Sequence, residues 1–488
     1  MNISVEKQLP EGDILCFIPY KSDETLLKKV LSSLSVFHTD TLRFLSKSST
    51  KEFTIPSEGR LFLFIKIEGE SFGPLMRKFR KVARSYREYP VRHWALYALH
   101  IESPDECEQL SRAFIHGCIT STQNLGKNKT TTDFDHSLCE EGASLTIISH
   151  FEDHLRTKIN SFQSVAKAHL NAMILGNSPS NKKDVNYMAA YCKVLAEKHS
   201  LEIELFDHER LELEGFKALL AVNRGSETPA KMVILKYNLS ATHLPLVGLI
   251  GKGVLFDTGG INLKPSENLF LMKSDMCGAA AVLGAIEAIA ATKCNARVVV
   301  AIPLTDNAID AKSTKPGDVI GSYNGKTIEV IDTDAEGRLC LADAISYICR
   351  TYRPDYLIDV ATLTGSAARA LGIHYAALFS TSDQLTDMLR NVGNTIGEKL
   401  WPMPMDPDYK EDLHSDVADL ANFSNKPTAG AISAALFLQE FVENTPHWAH
   451  IDIAGTAFTS SEFGKQRTAT GFGALLLYSF VHALESSH

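Results

Sequence analysis

The chain has 488 residues, 44% hydrophobic and 22% charged, with a formal net charge of −9. That length exceeds one ordinary core and calls for two domains, or a large one with a smaller companion. The acidic balance gives no footing for general nucleic-acid binding, which needs a basic footprint.

The opening MNISVEKQLPEGD lacks the apolar core of a signal peptide, and no later run reaches the roughly 18 uncharged apolar residues of a membrane span, so a cytoplasmic protein is expected. Nine cysteines occur without a CxxC pair, several in apolar context such as Cys192, Cys340 and Cys349. They read as reduced core residues, not as a disulfide framework or a zinc knuckle.

Strand-like runs DILCFIPY, RLFLFIKIE and HWALYALHI alternate with helical patterns up to about residue 120, an α/β layout. Within it, FGPLMRKFRKVARSYREY places Phe72, Leu75, Met76, Phe79, Val82 and Tyr86 on one helical stripe. Arg77, Lys78, Arg80, Lys81, Arg84 and Arg87 lie outside the stripe. A solvated basic face explains them better than a nucleic-acid patch, because no aromatic residue is interleaved among them. The polar stretch STQNLGKNKTTTDFDHS is expected to belong to a linker region. The expected domains are residues 1–160, an N-terminal α/β domain with its linker helix, and 161–488.

From about residue 184 helices and strands alternate: DVNYMAAYCKVLAEKH then LEIELF, GAAAVLGAIEAIAA then RVVVAIP, LCLADAISYICRTY then DYLIDVA. This predicts a mostly parallel sheet sandwiched by helices, with functional groups at the carboxyl ends of its strands.

Four stretches ask for more than packing. LVGLIGKGVLFDTGG reads as a strand buried on both faces, where Lys252 is rare unless paired or bound. It either pairs with a carboxylate or, its pKa lowered by desolvation beside a cation, offers a lone pair to a metal. Asp257 at the strand exit is a turn cap or a ligand beside two glycines. In INLKPSENLFLMKSDMCGAAAVLGA, Lys264 precedes Pro265 and so lies on extended chain. Asp275 stands before a small-residue helix as an N-cap or as a ligand.

IDTDAEGRLCLADA, residues 331–344, imitates a calcium loop, with Asp332, Asp334, Glu336, Gly337 and Asp343 at EF-hand positions. The alternating GKTIEVID before it predicts a strand, where an EF-hand needs a helix, so that reading fails. Asp343 is then an ordinary polar position on the following helix. Asp332-x-Asp334 at a strand end also allows an aspartyl-phosphate loop like that of haloacid-dehalogenase-like phosphatases, although Glu-Gly-Arg follows where that loop carries Thr or Val. In DVATLTGSAARALG, Thr362, Leu363, Thr364 and Gly365 supply backbone donors beside a site or make a plain helix entry.

Asp257, Asp275, Asp334 and Glu336 with Lys252, Lys264 and Arg338 thus gather at strand exits. Four close carboxylates repel and raise one another's pKa unless cations neutralise them. Two divalent metals about 3.5–4 Å apart would do so and activate a water, which points to metal-assisted hydrolysis.

At these residues the sequence resembles the cytosolic leucyl aminopeptidase family: GKG…FDTGG, LKPS, the MK-x-DM-x-GAAAVLG pattern, TDAEGRL, DVATLTG, AGAISAALFLQEFV and HIDIAGTA occur in order over roughly residues 165 to 485. The resemblance implies a dinuclear site on Lys252, Asp257, Asp275, Asp334 and Glu336, with zinc, manganese or magnesium as candidate ions. One metal would be held by the lysine and carboxylates. The other, more exchangeable, would use carboxylates and the backbone carbonyl of Asp334. It further implies Lys264 as oxyanion stabiliser, and a bicarbonate general base held by Arg338 with backbone groups of Gly337 and Leu363. A leucine-sized pocket would be lined by Met272, Thr362, Gly365, Ala454 and Ala457. Peptides with a free N-terminus would be the substrates, and the assembly a homo-hexamer. The alternatives kept open are a phosphohydrolase using the DTDAEG loop and a non-catalytic nucleic-acid-binding hexamer. Two departures stand out: Asp332 where the family has Asn, and ILGNSPSNKKD where it has an Arg and an NxPxN pattern, a segment expected to lie away from the site.

Overall fold

The computed structural model describes residues 1–21, 28, 30–32, 34, 52–57, 59–130, 136–424, 426–460 and 462–485. Two compact units divide it, Met1–Lys167 and Ala168–His488.

The first unit holds a six-stranded sheet of β1 (Asn2–Glu6), β2 (Ile14–Tyr20), β3 (Glu52–Ser57), β4 (Arg60–Lys66), β5 (His93–Tyr97) and β6 (Ser144–Ile148), in the order β1-β6-β5-β2-β4-β3. All pairings are parallel except β3 with β4. Every residue of β2 is buried, as its unbroken apolar run requires of a strand covered on both faces. Pro56 sits on β3, which forms the sheet edge, where a missing donor costs nothing.

Helix α1 (Phe72–Ser85) buries the expected stripe of Phe72, Leu75, Met76, Phe79 and Val82. Its basic face is less solvated than expected. Arg80 is buried, Lys78 pairs with Glu70 and donates to Lys66 O at 2.8 Å, and Arg84 Nη1 donates to Ser121 O and Gln123 O. These cations are tied to their own unit, which weakens a nucleic-acid reading further. Helix α2 (Pro104–Ser121) packs beside α1. The polar stretch expected near a linker instead joins α2 to β6 within one sheet, and its residues 131–135 lie outside the described residues. The division falls later, inside α3 (Ile159–Asn177).

The second unit follows with α4 (Val185–His199), β7 (Glu202–Phe206), α5 (Lys217–Asn223), β8 (Lys231–Tyr237), β9 (Leu246–Gly251), β10 (Gly253–Asp257), α6 (Cys277–Ala291), β11 (Arg297–Asn307), β12 (Val319–Gly321), β13 (Thr327–Glu329), α7 (Gly337–Tyr352), β14 (Tyr356–Ala361), β15 (Ala376–Ser380), β16 (Leu400–Pro402), β17 (Leu420–Ala421), α8 (Gly430–Gln439), β18 (His447–Asp452) and α9 (Ala474–Glu485). The main sheet runs β16-β15-β18-β14-β9-β11-β8-β7, with β10 beside the far half of β11. Its centre is parallel, while β8 runs antiparallel to both β11 and β7, and β15 antiparallel to β18. Apolar residues of the strands, such as Ile250, Val299 and Leu357, pack against Leu341, Ile345 and Ile348 of α7.

Two expectations change. The run from Leu246 is two strands, not one, and Lys252 is the break between them. GKTIEVID contributes only three residues of strand, and these belong to a separate sheet β12-β13-β17. Among the described residues, Leu269–Ala291 is long and apolar enough to cross a membrane, but 78% of its most apolar window is buried inside the protein, the mark of a core helix.

Candidate metal centre

Lys252 is 2% exposed. Its amide donates to Val360 O and its carbonyl accepts from Ala279 N, so the β9–β10 break is stitched to β14 and to the first turn of α6. Its ammonium meets Asp275 Oδ2 at 2.7 Å, Glu336 Oε1 at 2.8 Å and Thr362 O at 3.0 Å. Burial opposes its charge, but Asp275, Glu336 and Asp257 outweigh burial and hold it protonated, above the ordinary lysine range. Of the two readings of Lys252 from sequence, the carboxylate pairing is the arrangement in this structure; the lowered pKa is tied to a neighbouring cation, and here the neighbours are anions. Gly337 permits the arrangement, since a Cβ there would lie 2.6 Å from Lys252 Nζ.

Asp257 closes β10, accepting from Gly259 N (2.9 Å) and Asn307 Nδ2 (2.8 Å) through Oδ1, so its turn-capping and site roles coexist. Gly259 takes φ +90°, a conformation natural to glycine. Lys264, on extended chain bonded back to Thr258 O, brings its ammonium to Asp257 Oδ2 at 2.7 Å and to Asp334 Oδ1. Burial opposes its charge too, and Asp257, Glu336 and Asp334 keep it protonated.

Asp275 does not cap α6; Met276 holds that position. Asp275 Oδ1 instead accepts from Thr362 Oγ1 at 2.8 Å. Glu336 immediately precedes α7, 2% exposed.

Charge repulsion shows in the carboxyls. Burial, then Glu336, raises Asp257. Burial raises Asp275 well above its usual range against the pull of Lys252. Burial, Asp257 and Glu336 push Asp334 up to about 7. Burial works against Glu336 as well, yet Lys252 and Lys264 bring it below the usual range.

Beyond the lysine ion pairs, Asp275 Oδ2, Asp334 Oδ1 and both Glu336 carboxylate oxygens are buried without a hydrogen-bond partner. Asp257, Asp334 and Glu336 each offer an oxygen within 4.8 Å of the others. Buried carboxylate oxygens whose charge is met only by two lysines, one of them at the centre of the set, fit a hard or borderline divalent cation.

Arg338 is buried on α7; its Nη1 donates to Asn422 O at 2.8 Å and its Nε has no partner. Burial pulls it down to about 10. The Leu363 amide is already given to Asp452 Oδ1 at 3.1 Å, so the Thr362–Gly365 turn offers Lys252 a carbonyl rather than a row of free donors. Thr364 is also the N-cap of the short helix that Gly365 opens. Met272 lies on the turn Leu269–Ser274 leading to Asp275. Ala454 N donates to Asp452, and Ala457 is 1% exposed, behind the surface.

Asp332 Oδ1 accepts from Asp334 N at 2.8 Å, a bond an Asn oxygen makes equally well. Asp343 is no ordinary polar position: fully buried, it accepts from Ala218 N, Leu219 N and Tyr323 N, capping α5. Lys183, in the segment expected to be remote, has 0% exposure and donates to Leu175 O (3.0 Å) and Lys273 O (2.8 Å), two residues before Asp275.

Sequence reasoning missed three supports. Asn307 holds Asp257 and the Thr333 carbonyl. Asn422 donates to Asp332 O and accepts from Ile331 N. Asp452 fixes Leu363, Thr364 and Ala454. Only Asp452 had a signal, its place in HIDIAGTA.

A carboxylate cluster threaded by lysines, gathered from the end of β10, the turn before α6 and the loop before α7 of an α/β unit, defines a metal-dependent hydrolytic class of site. Residues 171–478 match the profile described as "Cytosol aminopeptidase family, catalytic domain", and the chain belongs to that family of metal-dependent peptidases. A probable cytosol aminopeptidase of Chlorobium phaeobacteroides is 37% identical over 487 residues, 96% of this chain and 96% of the relative. Another, of Chlorobium limicola, is 43% identical over 380 residues, covering 75% and 73%. The solved structure of the bottromycin maturation enzyme BotP in complex with Mn superposes with TM-score 0.83 and 28% identity, over 97% of this chain and 100% of that one.

Proposed function

We propose that the chain removes leucine-like residues from peptide N-termini at the Lys252, Asp257, Asp275, Asp334 and Glu336 site. The observation that carries this reading is the convergence of Asp257, Asp334 and Glu336, each with an oxygen within 4.8 Å of the others, on a buried floor where the Asp275, Asp334 and Glu336 oxygens meet little besides the two lysine ammoniums.

Two divalent ions, zinc, manganese or magnesium, would be held by the four carboxylates and by Lys252 once its ammonium gives up a proton, and would supply Lewis acidity and a nucleophilic water. Lys252, Asp257, Asp275 and Glu336 fix that charge on a buried floor, each of the four 7% exposed or less. The Lys264 ammonium, kept protonated by its neighbours, donates to the oxyanion that develops as the scissile carbonyl is attacked. Arg338, its Nε still a donor without an acceptor, holds a bicarbonate general base beside Gly337. Leu363 contributes through its position rather than its committed amide. Met272, Thr362, Gly365 and Ala454 wall the pocket for the first side chain, and Ala457 sets its depth from behind. A homo-hexamer in the cytoplasm completes the reading.

The test is hydrolysis of a leucine chromogenic amide with chelator, then with Mn²⁺, Zn²⁺ or Mg²⁺ restored. Turnover should vanish and return; absence of metal-dependent turnover under every ion refutes the proposal.

A further inference from the structure

Away from the carboxylate cluster, the last helix meets the turn that precedes β11. His482 and Glu485 stand three residues apart on α9, and Cys294 lies on the turn between α6 and β11. One donor atom from each falls within 4.8 Å of the other two. The three are already oriented. Glu485 Oε1 accepts from Asn295 N at 3.2 Å and Oε2 meets His482 Nδ1 at 2.9 Å, while the imidazole stacks on Tyr478. The turn is wound tightly to present the thiol: Lys293 takes φ +55°, and Cys294 N bonds back to Ile289 O. Cys294 is buried, with Thr292 Oγ1 3.2 Å from its sulfur.

We propose that Cys294, His482 and Glu485 form a separate binding site for one borderline-soft divalent cation, zinc in class. Thiolate, imidazole and carboxylate together select zinc-like ions. The catalytic set, oxygens and one amine, suits harder ones. Three protein ligands leave the fourth tetrahedral position to water, as in exchangeable sites. Burial raises the Cys294 thiol, so binding releases a proton and tightens as pH rises. The ion would staple α9 to the turn after α6, and α6 begins just past Asp275.

The test titrates the purified enzyme with Co²⁺. The catalytic ligands include no thiolate, so a near-ultraviolet thiolate-to-cobalt band is separate from the catalytic centre, and its loss in the site variants assigns it among the nine cysteines. The band should appear with one added equivalent in the unaltered protein and be lost in Cys294→Ser and in His482→Ala, with peptidase turnover unchanged in both. His482 is largely exposed, so His482→Ala carries the test even where the cysteine variant folds poorly. No band in the unaltered protein, or an equal band in His482→Ala, overturns the assignment.

Discussion

Lys183→Met offers a quantitative check on how the second unit is held together. The Lys183 amine is fully buried between two backbone carbonyls, Leu175 O and Lys273 O, with no ion-pairing carboxylate among the bonds it makes. A neutral amine has two N–H donors, which these carbonyls satisfy; a third proton would be stranded. Burial accordingly lowers its pKa from 10.5 to about 7. Between about pH 7 and pH 10 the unfolded chain binds a proton that the folded chain does not, so stability rises with pH across that window. The contribution is complete above the unfolded value and is lost as pH falls through about 7. At roughly 1.4 kcal/mol per pH unit between about 7 and 10.5, this amounts to about 5 kcal/mol. Urea unfolding of the unaltered protein and of Lys183→Met at pH 6 and at pH 10 should give a stability difference that moves by a few kcal/mol in favour of Lys183 at the higher pH. A difference that does not move with pH refutes the neutral-amine reasoning.

Lys264→Met should lower kcat on the leucine amide by about 10²- to 10³-fold with KM little changed, the pattern of a lost oxyanion donor; an equal rise in KM instead would assign it to binding. Asp343→Ala strips three buried amides of their acceptor, at about 1–3 kcal/mol for each group left unsatisfied. Its melting temperature should fall sharply while the catalytic pH profile keeps its shape. Asp332→Asn preserves the acceptor for the Asp334 amide; turnover within about two-fold of the unaltered enzyme is expected, and a large loss would show that the Asp332 charge matters to the site.

The site was legible where a side chain stood against its local pattern. Lys252 interrupts an apolar run, and Asp257 closes one, so both could be picked out without knowing what lay across the fold. The break at Lys252 was hidden, because Leu246–Gly251 and Gly253–Asp257 are equally apolar and only pairing with β11 separates them. Asp343 and Lys183 were misjudged for one reason: their partners are backbone groups of Ala218, Tyr323, Leu175 and Lys273, which leave no residue type to read. Asn307 and Asn422 escaped likewise, as polar residues whose meaning comes only from the carbonyls they meet.

Lys252 Nζ touches Asp275, Glu336 and Thr362, segments that become neighbours only when β9, β14, α6 and α7 have all docked. No fragment containing one or two of these segments can present the ligand set. Loop closure over 110 residues, the span from Lys252 to Thr362, must come first, and such closures are slow. Cation uptake is thereby a readout of completed folding: an ion that binds only the finished arrangement withdraws it from the unfolding equilibrium, so metal supply and chain quality control become one thermodynamic quantity.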